Sequence, residues 1–184
     1  SPYLCPDSLL METARAASDN SLRVHIHVSE EANQLTRSLW DRRLTPIEVL
    51  DRTGILAGKT LLAHAYHATA RDFTLLSGTD TLIAHCPLKY LRFGDIKGFL
   101  AKAITHGIRT GLGSDGAASN GTMGLLAAAR GAALLAKGSA GDAEAGQIQE
   151  LLPLLTAAGK VLVSPDYGSF KEGSPADLVL INHK

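Results

Sequence analysis

Four short apolar segments of this sequence run into a histidine or an aspartate, and this repeat restricts the fold more than any other feature. The segments are residues 22–27, 60–64, 81–85 and 108–112, and the residues that close them are His27, His64, His85 and Asp115. Alternating or continuous apolar runs of this length are typical of buried strands. Helical segments separate them at intervals of about 30 residues, the length of one strand–helix unit. The sequence therefore predicts an α/β protein with a parallel sheet.

The remaining segments decide between two parallel architectures. We predict helices over residues 8–18, 30–42, 46–50, 69–76, 96–105, 123–137 and 143–158, an ambiguous apolar run at 160–163 and a last strand at 177–182. An open doubly wound sheet and part of a (β/α)8 barrel both fit this order. No glycine-rich phosphate loop follows any strand, which disfavours a nucleotide-binding sheet. A complete barrel needs about 250 residues, so four strands in 184 residues predict about half of a barrel.

Composition excludes several classes of partner. Lysine plus arginine equals aspartate plus glutamate, at 18 each, and no basic block is present. We therefore expect no nucleic-acid partner. No apolar run approaches the ~20 residues of a membrane span, so no membrane association is expected. The two cysteines, Cys5 and Cys86, lie far apart, which argues against a disulfide framework and for a reducing, cytoplasmic location.

The four strand-closing residues predict a metal site. In a parallel barrel, successive strand ends converge on one mouth. A single strand histidine is more often structural, but four such endings are hard to explain that way. Imidazole and carboxylate ligands suit Zn²⁺ or Fe²⁺, and such a metal lowers the pKa of bound water from about 15.7 to about 7. We predict His27 and Asp115 as the ligands from this chain, and two ligands fall short of the three that catalytic zinc usually has.

For other polar residues near the strand ends, the sequence gives weaker evidence of a functional role. Glu30 follows His27 by three residues, so it could shuttle a proton or simply favour the first turn of a helix. His25 shares a strand face with His27 and could lie deeper on that face. We expect His67 in a loop and His106 exposed near a helix end.

Six short motifs, in order, carry a resemblance to a known family. They are SPYLC (1–5), IHVSE (26–30), LAHAYH (62–67), AHCP (84–87), LGSDGAASN (112–120) and ADLVLI (176–181). Together they resemble the amidohydrolase superfamily, in the branch of S-adenosylhomocysteine/5-methylthioadenosine deaminases and triazine or N-ethylammeline chlorohydrolase-like proteins. The resemblance implies a (β/α)8 TIM barrel with a small β-sandwich. Residues 1–160 would be the C-terminal half of the barrel, about strands five to eight, and residues 161–184 would begin the sandwich.

The resemblance also implies a role for each site residue. His27 and Asp115 look like metal ligands, Glu30 like the acid/base, and His64 like the histidine that contacts a metal-bound hydroxide. Asp115 would also accept the proton of the water. The substrate-binding residues would be His85, Ser119 and Asn120.

Three departures from the family pattern bear on these expectations. The strand-one His-x-His motif, which supplies two metal ligands, is absent. Lys89 and Tyr90 stand where the family carries Ser-Asn, and the segment after Leu152 is short. We therefore expect a fragment of a longer protein.

The expected activity is hydrolytic deamination of an aminated heterocycle of adenosine, purine or pterin type, with one divalent metal, Zn or alternatively Fe. Hydroxide on the metal would attack the amino-bearing carbon. Dechlorination of triazines at the same site is an alternative, and so is an inert fragment that serves only binding or assembly. As partners we expect a small heterocyclic substrate and either a second copy of this chain or the N-terminal half of the barrel.

Overall fold

A computed structural model describes residues 1–157 and 171–182 and contains one four-stranded parallel sheet. Its strands are β1 (Val24–Val28), β2 (Thr60–His64), β3 (Leu82–His85) and β4 (Arg109–Leu112). They lie side by side in chain order, and every neighbouring pair is parallel. A sheet that grows in one direction is typical of a barrel segment, whereas doubly wound sheets reverse their strand order at a switch point. The predicted α/β class and parallel sheet are confirmed.

Helices connect and cover the strands. They are α1 (Asp7–Asp19), α2 (Ala32–Arg42), α3 (Pro46–Arg52), α4 (Ala70–Ser77), α5 (Pro87–Phe93), α6 (Phe99–Thr105), α7 (Ala117–Asn120), α8 (Leu125–Ala140) and α9 (Ile148–Leu151), with a 3-10 turn at Ile55–Ala57. The short helices α5 and α7 directly follow strand ends, and the sequence analysis did not predict them. None of the helices in the described ranges has the length and apolarity that crossing a bilayer requires.

The core lies on one face of the sheet because side chains alternate along each strand. On β1, Ile26 and Val28 are buried, whereas His25 and His27, which alternate with them, are exposed. Leu62 of β2 and Ile83 of β3 are fully buried in the same cluster, which includes side chains of the covering helices. One face of the sheet therefore packs against the helices, and the other carries the two exposed β1 histidines beside buried apolar side chains of β2 and β3.

Two helices on the core side begin at linked capping boxes. Thr45 and Glu48 cap α3 reciprocally, and Thr69 and Asp72 do the same for α4. The Thr45 hydroxyl also donates a hydrogen bond to Asp72 Oδ1. The two capping boxes and the hydrogen bond that links them satisfy backbone and side-chain groups that the helix starts would otherwise leave unpaired.

The prediction of a helix over residues 143–158 was wrong in extent. Only α9 and a further helical stretch at residues 154–157 are present in the described part of that segment. Pro153 stands between them, and proline lacks the N–H that a continuous helix requires. The predicted apolar run at 160–163 lies outside the described residues.

The predicted last strand, residues 177–182, is not a strand in the structure. Its apolar side chains are exposed, and Leu180 is 100% exposed. A strand requires a neighbouring strand to pair its backbone groups, and the four-stranded sheet formed by the described residues does not include this segment.

Candidate active site

Glu30, His64 and Asp115 converge at the carboxyl ends of the parallel strands. A ligand atom from each of the three lies within 4.8 Å of a ligand atom from the others. Glu30 follows β1, His64 closes β2 and Asp115 follows β4. The parallel register explains the convergence, since it places equivalent strand ends at one edge of the sheet.

The backbone at this edge is left-handed at four residues that are not glycine. The φ angle is +46° at Ser29, +76° at His64, +48° at Ala65 and +58° at Asp115. Each such residue costs of order 1–3 kcal/mol, and residues of this kind cluster at functional sites. His64 is in register with Val28, which is buried in the core. The left-handed turn takes the His64 ring out of that alternation and toward the site.

The Glu30 carboxylate is held by several neighbours. Lys89 Nζ donates a hydrogen bond to Glu30 Oε1, and His64 Nε2 lies 3.6 Å from the same oxygen. The Tyr90 hydroxyl donates to the Glu30 carbonyl oxygen over 3.3 Å, and the Glu30 N–H donates to Gln34 Oε1 over 3.0 Å. Burial raises the pKa of the Glu30 carboxyl, but the hydrogen bond from Lys89 and the charge of its ammonium group outweigh it, so the pKa lies below its usual value.

Glu30 lies outside the helix in which we predicted it. Helix α2 begins at Ala32, and Glu31 is its N-cap residue. The interpretation of Glu30 as a first-turn helix acid was therefore wrong. Its position in the strand-to-helix loop leaves its carboxylate free to face the site.

His64 is a buried and neutral imidazole. It is 1% exposed, and burial lowers its pKa to about 4 although Glu30 and Asp115 partly oppose this. Its Nδ1 has no hydrogen-bond partner among the described residues. The His27 ring lies 5.2 Å from the His64 ring, and the exposed His25 stacks on His27 at 6.3 Å. A neutral imidazole beside carboxylates can bind a metal or accept a proton at neutral pH.

Asp115 is fixed by the loop that follows β4. Its Oδ1 accepts hydrogen bonds from the Gly116 N–H at 2.5 Å and from the Ser119 hydroxyl at 3.3 Å. The Asn120 side chain donates to the Ser114 carbonyl oxygen. In this structure, Ser119 and Asn120 shape the loop around Asp115, and their predicted contact with substrate stays a prediction.

The ends of β3 and β4 approach closely before that loop. The Gly113 N–H donates to the His85 carbonyl oxygen over 2.8 Å. A Cβ atom at Gly113 would lie 2.9 Å from Cys86 Sγ, closer than such contacts occur. A larger residue at this position would therefore force the Cys86 side chain to move.

His85 is not part of the cluster. It is fully buried, and its ring lies 5.1 Å from Phe99, 6.0 Å from Tyr66 and 6.5 Å from Tyr90. Burial lowers its pKa to about 3, and neither ring nitrogen has a partner among the described residues. The predicted contact of His85 with substrate stays a prediction.

The contact between Lys89 and Glu30 was not predicted from the sequence. We noted Lys89 only as a departure from the family pattern, but its ammonium group touches Glu30. The available signal was a lysine four residues after a strand-closing histidine, at the same sheet edge as the other candidates.

His67 and His106 have separate environments. His67 Nε2 lies 3.0 Å from Asp95 Oδ2, and its Nδ1 lies 2.6 Å from Lys97 Nζ. His106 is exposed at the end of α6, as predicted. A cavity of about 700 Å³ is lined by Lys59, Arg109 and others at the opposite edge of the sheet, away from the cluster.

The donor set suits a divalent metal. Two carboxylates and a neutral imidazole surround one point, and His64 also contacts the exposed His27. Nitrogen and oxygen donors of this kind bind zinc and iron in hydrolases. The unpartnered Nδ1 of His64 is a further polar atom that a ligand or an ordered water would satisfy.

The chain belongs to the amidohydrolase family, whose model matches residues 1–184. The predicted resemblance is thereby confirmed. The chain is 32% identical over 182 residues to a 5'-deoxyadenosine deaminase of Methanothermobacter thermautotrophicus, and the match covers 99% of this chain and 43% of that protein. It is 33% identical over 184 residues to a 5-methylthioadenosine/S-adenosylhomocysteine deaminase of Pelotomaculum thermopropionicum, covering all of this chain and 42% of the relative.

A solved structure shows the same fold. An E241Q mutant of atrazine chlorohydrolase from Arthrobacter aurescens TC1, complexed with zinc and atraton, superposes with a TM-score of 0.84 at 26% identity. The match covers 94% of this chain and 38% of the chlorohydrolase. The chain thus spans less than half of the length of the proteins it matches.

Proposed function

We propose that the protein containing this chain is a metal-dependent hydrolytic deaminase of an aminated heterocycle of adenosine, purine or pterin type. The observation that carries the proposal is the convergence of Glu30, His64 and Asp115 at one sheet edge. The two deaminases at 32% and 33% identity support the same reaction class.

One divalent metal would be held by His27 and Asp115, with zinc favoured and iron as the alternative. The zinc in the chlorohydrolase structure supports this choice. When bound, such a metal acidifies a coordinated water so that a nucleophile is available near neutral pH. Further ligands would come from the part of the protein outside this chain, because three or more are usual.

The residues of this chain would then move protons and orient the attacking water. Asp115 accepts a proton from the water, and neutral His64 forms a hydrogen bond to the attacking oxygen. Glu30, a carboxylate at rest because its pKa lies below the usual value, takes up the other proton of the water and delivers it to the ring nitrogen next to the amino-bearing carbon. The proton held by Asp115 then passes to the leaving amine. A C–O bond forms and the C–N bond breaks, so that water and the amine yield an oxo-heterocycle and ammonia.

Substitution of Asp115 tests this assignment. In the full-length protein, D115N should lose both bound metal and deaminase activity, because an amide is a poor ligand and cannot take the proton. The control is D51N, at an exposed aspartate of α3. Metal analysis and ammonia release are the measurements, and undiminished deamination by D115N would refute the scheme.

Hydrolytic dechlorination of a triazine is the second candidate function. The match to the atrazine chlorohydrolase, with a TM-score of 0.84, favours it. Both reactions replace a ring substituent with oxygen from water, so the same residues serve either. A substrate panel read by ammonia and chloride release separates the two.

The architecture of the whole protein is also a proposal. Residues 1–160 would form the C-terminal half of a (β/α)8 barrel, and residues 161–184 would begin a small β-sandwich. The free thiols of Cys5 and Cys86 support a cytoplasmic location.

Taken alone, this chain would serve only in binding or assembly. Strands β1 and β4 each have one neighbour in the described sheet, so each leaves an unpaired edge. We expect the 184-residue chain to self-associate or to bind the N-terminal half of the barrel. Sedimentation of the isolated chain tests this, and a monodisperse monomer would contradict it. Stoichiometric zinc in the same sample would argue against an inert chain.

A further inference from the structure

Lys89 occupies a position that neither burial nor helix electrostatics favours. The residue is 8% exposed and lies in the first turn of α5. Lysine is almost never buried without a partner, and a cation near a helix N-terminus is disfavoured by the helix dipole. A specific partner must therefore hold the ammonium group in place.

That partner is Glu30. Lys89 Nζ donates to Glu30 Oε1, the oxygen that also lies 3.6 Å from His64 Nε2. The next residue, Tyr90, donates from its hydroxyl to the Glu30 carbonyl oxygen. Two successive residues of α5 thus fix both the side chain and the backbone of Glu30.

The other acidic neighbour does not account for this arrangement. Glu31 Oε1 lies 3.9 Å from Lys89 Nζ, and its side chain is 58% exposed. An ion pair at that distance with an exposed, solvent-screened carboxylate contributes little. The Glu30 side chain, by contrast, is 25% exposed and lies in the cluster.

We propose that Lys89 is a positioning residue for the Glu30 carboxylate. It anchors Oε1 beside His64 and thereby directs the second oxygen, Oε2, toward the ring nitrogen of the substrate. This inference rests on the proposed deaminase function, in which Glu30 delivers a proton. A carboxylate that is held in one orientation takes up and delivers a proton more efficiently than one that samples several.

Two substitutions at Lys89 in the full-length, metal-loaded protein test the proposal. K89M keeps the length of the side chain but removes its charge, and K89R restores a donor. K102M makes the same change at an exposed lysine of α6 and is the matched control. The measurements are kcat, KM, metal content and crystal structures of the wild-type protein and K89M.

We expect kcat of K89M to fall about 10- to 100-fold, with KM and metal content unchanged. K89R should recover part of kcat, and K102M should match the wild-type protein. In the K89M crystal structure, the separation between Glu30 Oε1 and His64 Nε2 should exceed the wild-type value.

The structural and kinetic results separate the possible failures. An unmoved Glu30 carboxylate in the K89M crystal structure would overturn the positioning role, and so would a wild-type kcat. If the wild-type protein turns over no heterocycle, the proposed function fails. The crystal structures then still decide whether Lys89 orients Glu30.

Discussion

The helix-packed face of the sheet and its carboxyl edge differ in how well their side chains and backbone satisfy the requirements of a stable fold. On the packed face, Leu62 and Ile83 are fully buried, and the helices above them start at complete capping boxes. At the edge, four non-glycine residues are left-handed, and His64 has a buried nitrogen without a partner among the described residues. The difference indicates that the edge was selected for chemistry at a cost in stability.

The largest expected effect is at the edge and on catalysis. E30Q in the full-length protein should reduce deamination about 10²- to 10⁴-fold, because an amide cannot deliver a proton. Metal content should stay close to the wild-type value, because the proposed ligands are His27 and Asp115. E31Q is the control at the neighbouring, more exposed glutamate. Normal ammonia release by E30Q would mean that the edge is not the reaction centre.

The packed face should respond in the opposite way. L62A should lower the free energy of unfolding by about 2–5 kcal/mol, because it leaves a cavity in the core. Turnover per folded molecule should change little. L178A, at a leucine that is 66% exposed, should change stability by no more than about 0.5 kcal/mol. Urea denaturation measures the stability of both variants. Equal losses in L62A and L178A would contradict the expected role of Leu62 in the core.

Acid should weaken the metal-free protein through the buried histidines. The pKa values of His64 and His85 are lowered by burial to about 4 and about 3, against about 6.5 in the unfolded chain. Below pH 6.5 the unfolded state binds more protons, so stability falls as the pH is lowered. Each group should contribute a loss of about 1.4 kcal/mol between pH 8 and pH 5.5.

The variant H85Q separates this effect from general acid denaturation. It removes one of the two titrating groups, so its stability should fall less steeply between pH 8 and pH 5.5. Urea midpoints measured at several pH values provide the test. An unchanged slope would show that His85 does not titrate on unfolding.

The smallest expected effect concerns backbone strain away from the site. Arg43 ends α2 in the left-handed conformation, with φ of +56°. R43G should raise the free energy of unfolding by about 0.5–1 kcal/mol, without affecting turnover. The control K102G, within α6, should instead lower the free energy of unfolding by about 1 kcal/mol. A loss of stability in R43G would mean that the arginine side chain contributes more than its backbone costs.

The sequence predicted the sheet well because strand-forming information is local. The apolar runs before His64 and His85 are short, continuous and bounded by turn residues, so their extent was nearly correct. Residues 177–182 show the same local pattern but form no strand. Pairing depends on a distant neighbour, which a local pattern does not specify.

The candidate site was predictable only in part. Parallel topology accounts for the convergence of His64 and Asp115, because it places strand ends at one edge. The contact of Lys89 with Glu30 could not be derived, since it joins a helix and a loop that are 59 residues apart in sequence. The burial of His85 among aromatic rings also depends on how α5 and α6 pack, which strand periodicity does not reveal.

The hydrogen bond between Thr45 and Asp72 joins two helix starts into one mechanical unit. Asp72 accepts from Thr69 at the start of α4 and from Thr45 at the start of α3. Replacing Asp72 would therefore remove the cap of α4 and leave the Thr45 hydroxyl at the start of α3 without its acceptor, so the energetic effects of changes at Thr45 and Thr69 would not add. We expect evolutionary substitutions at Thr45, Thr69 and Asp72 to occur together, because the side chain of Asp72 hydrogen-bonds to both threonines.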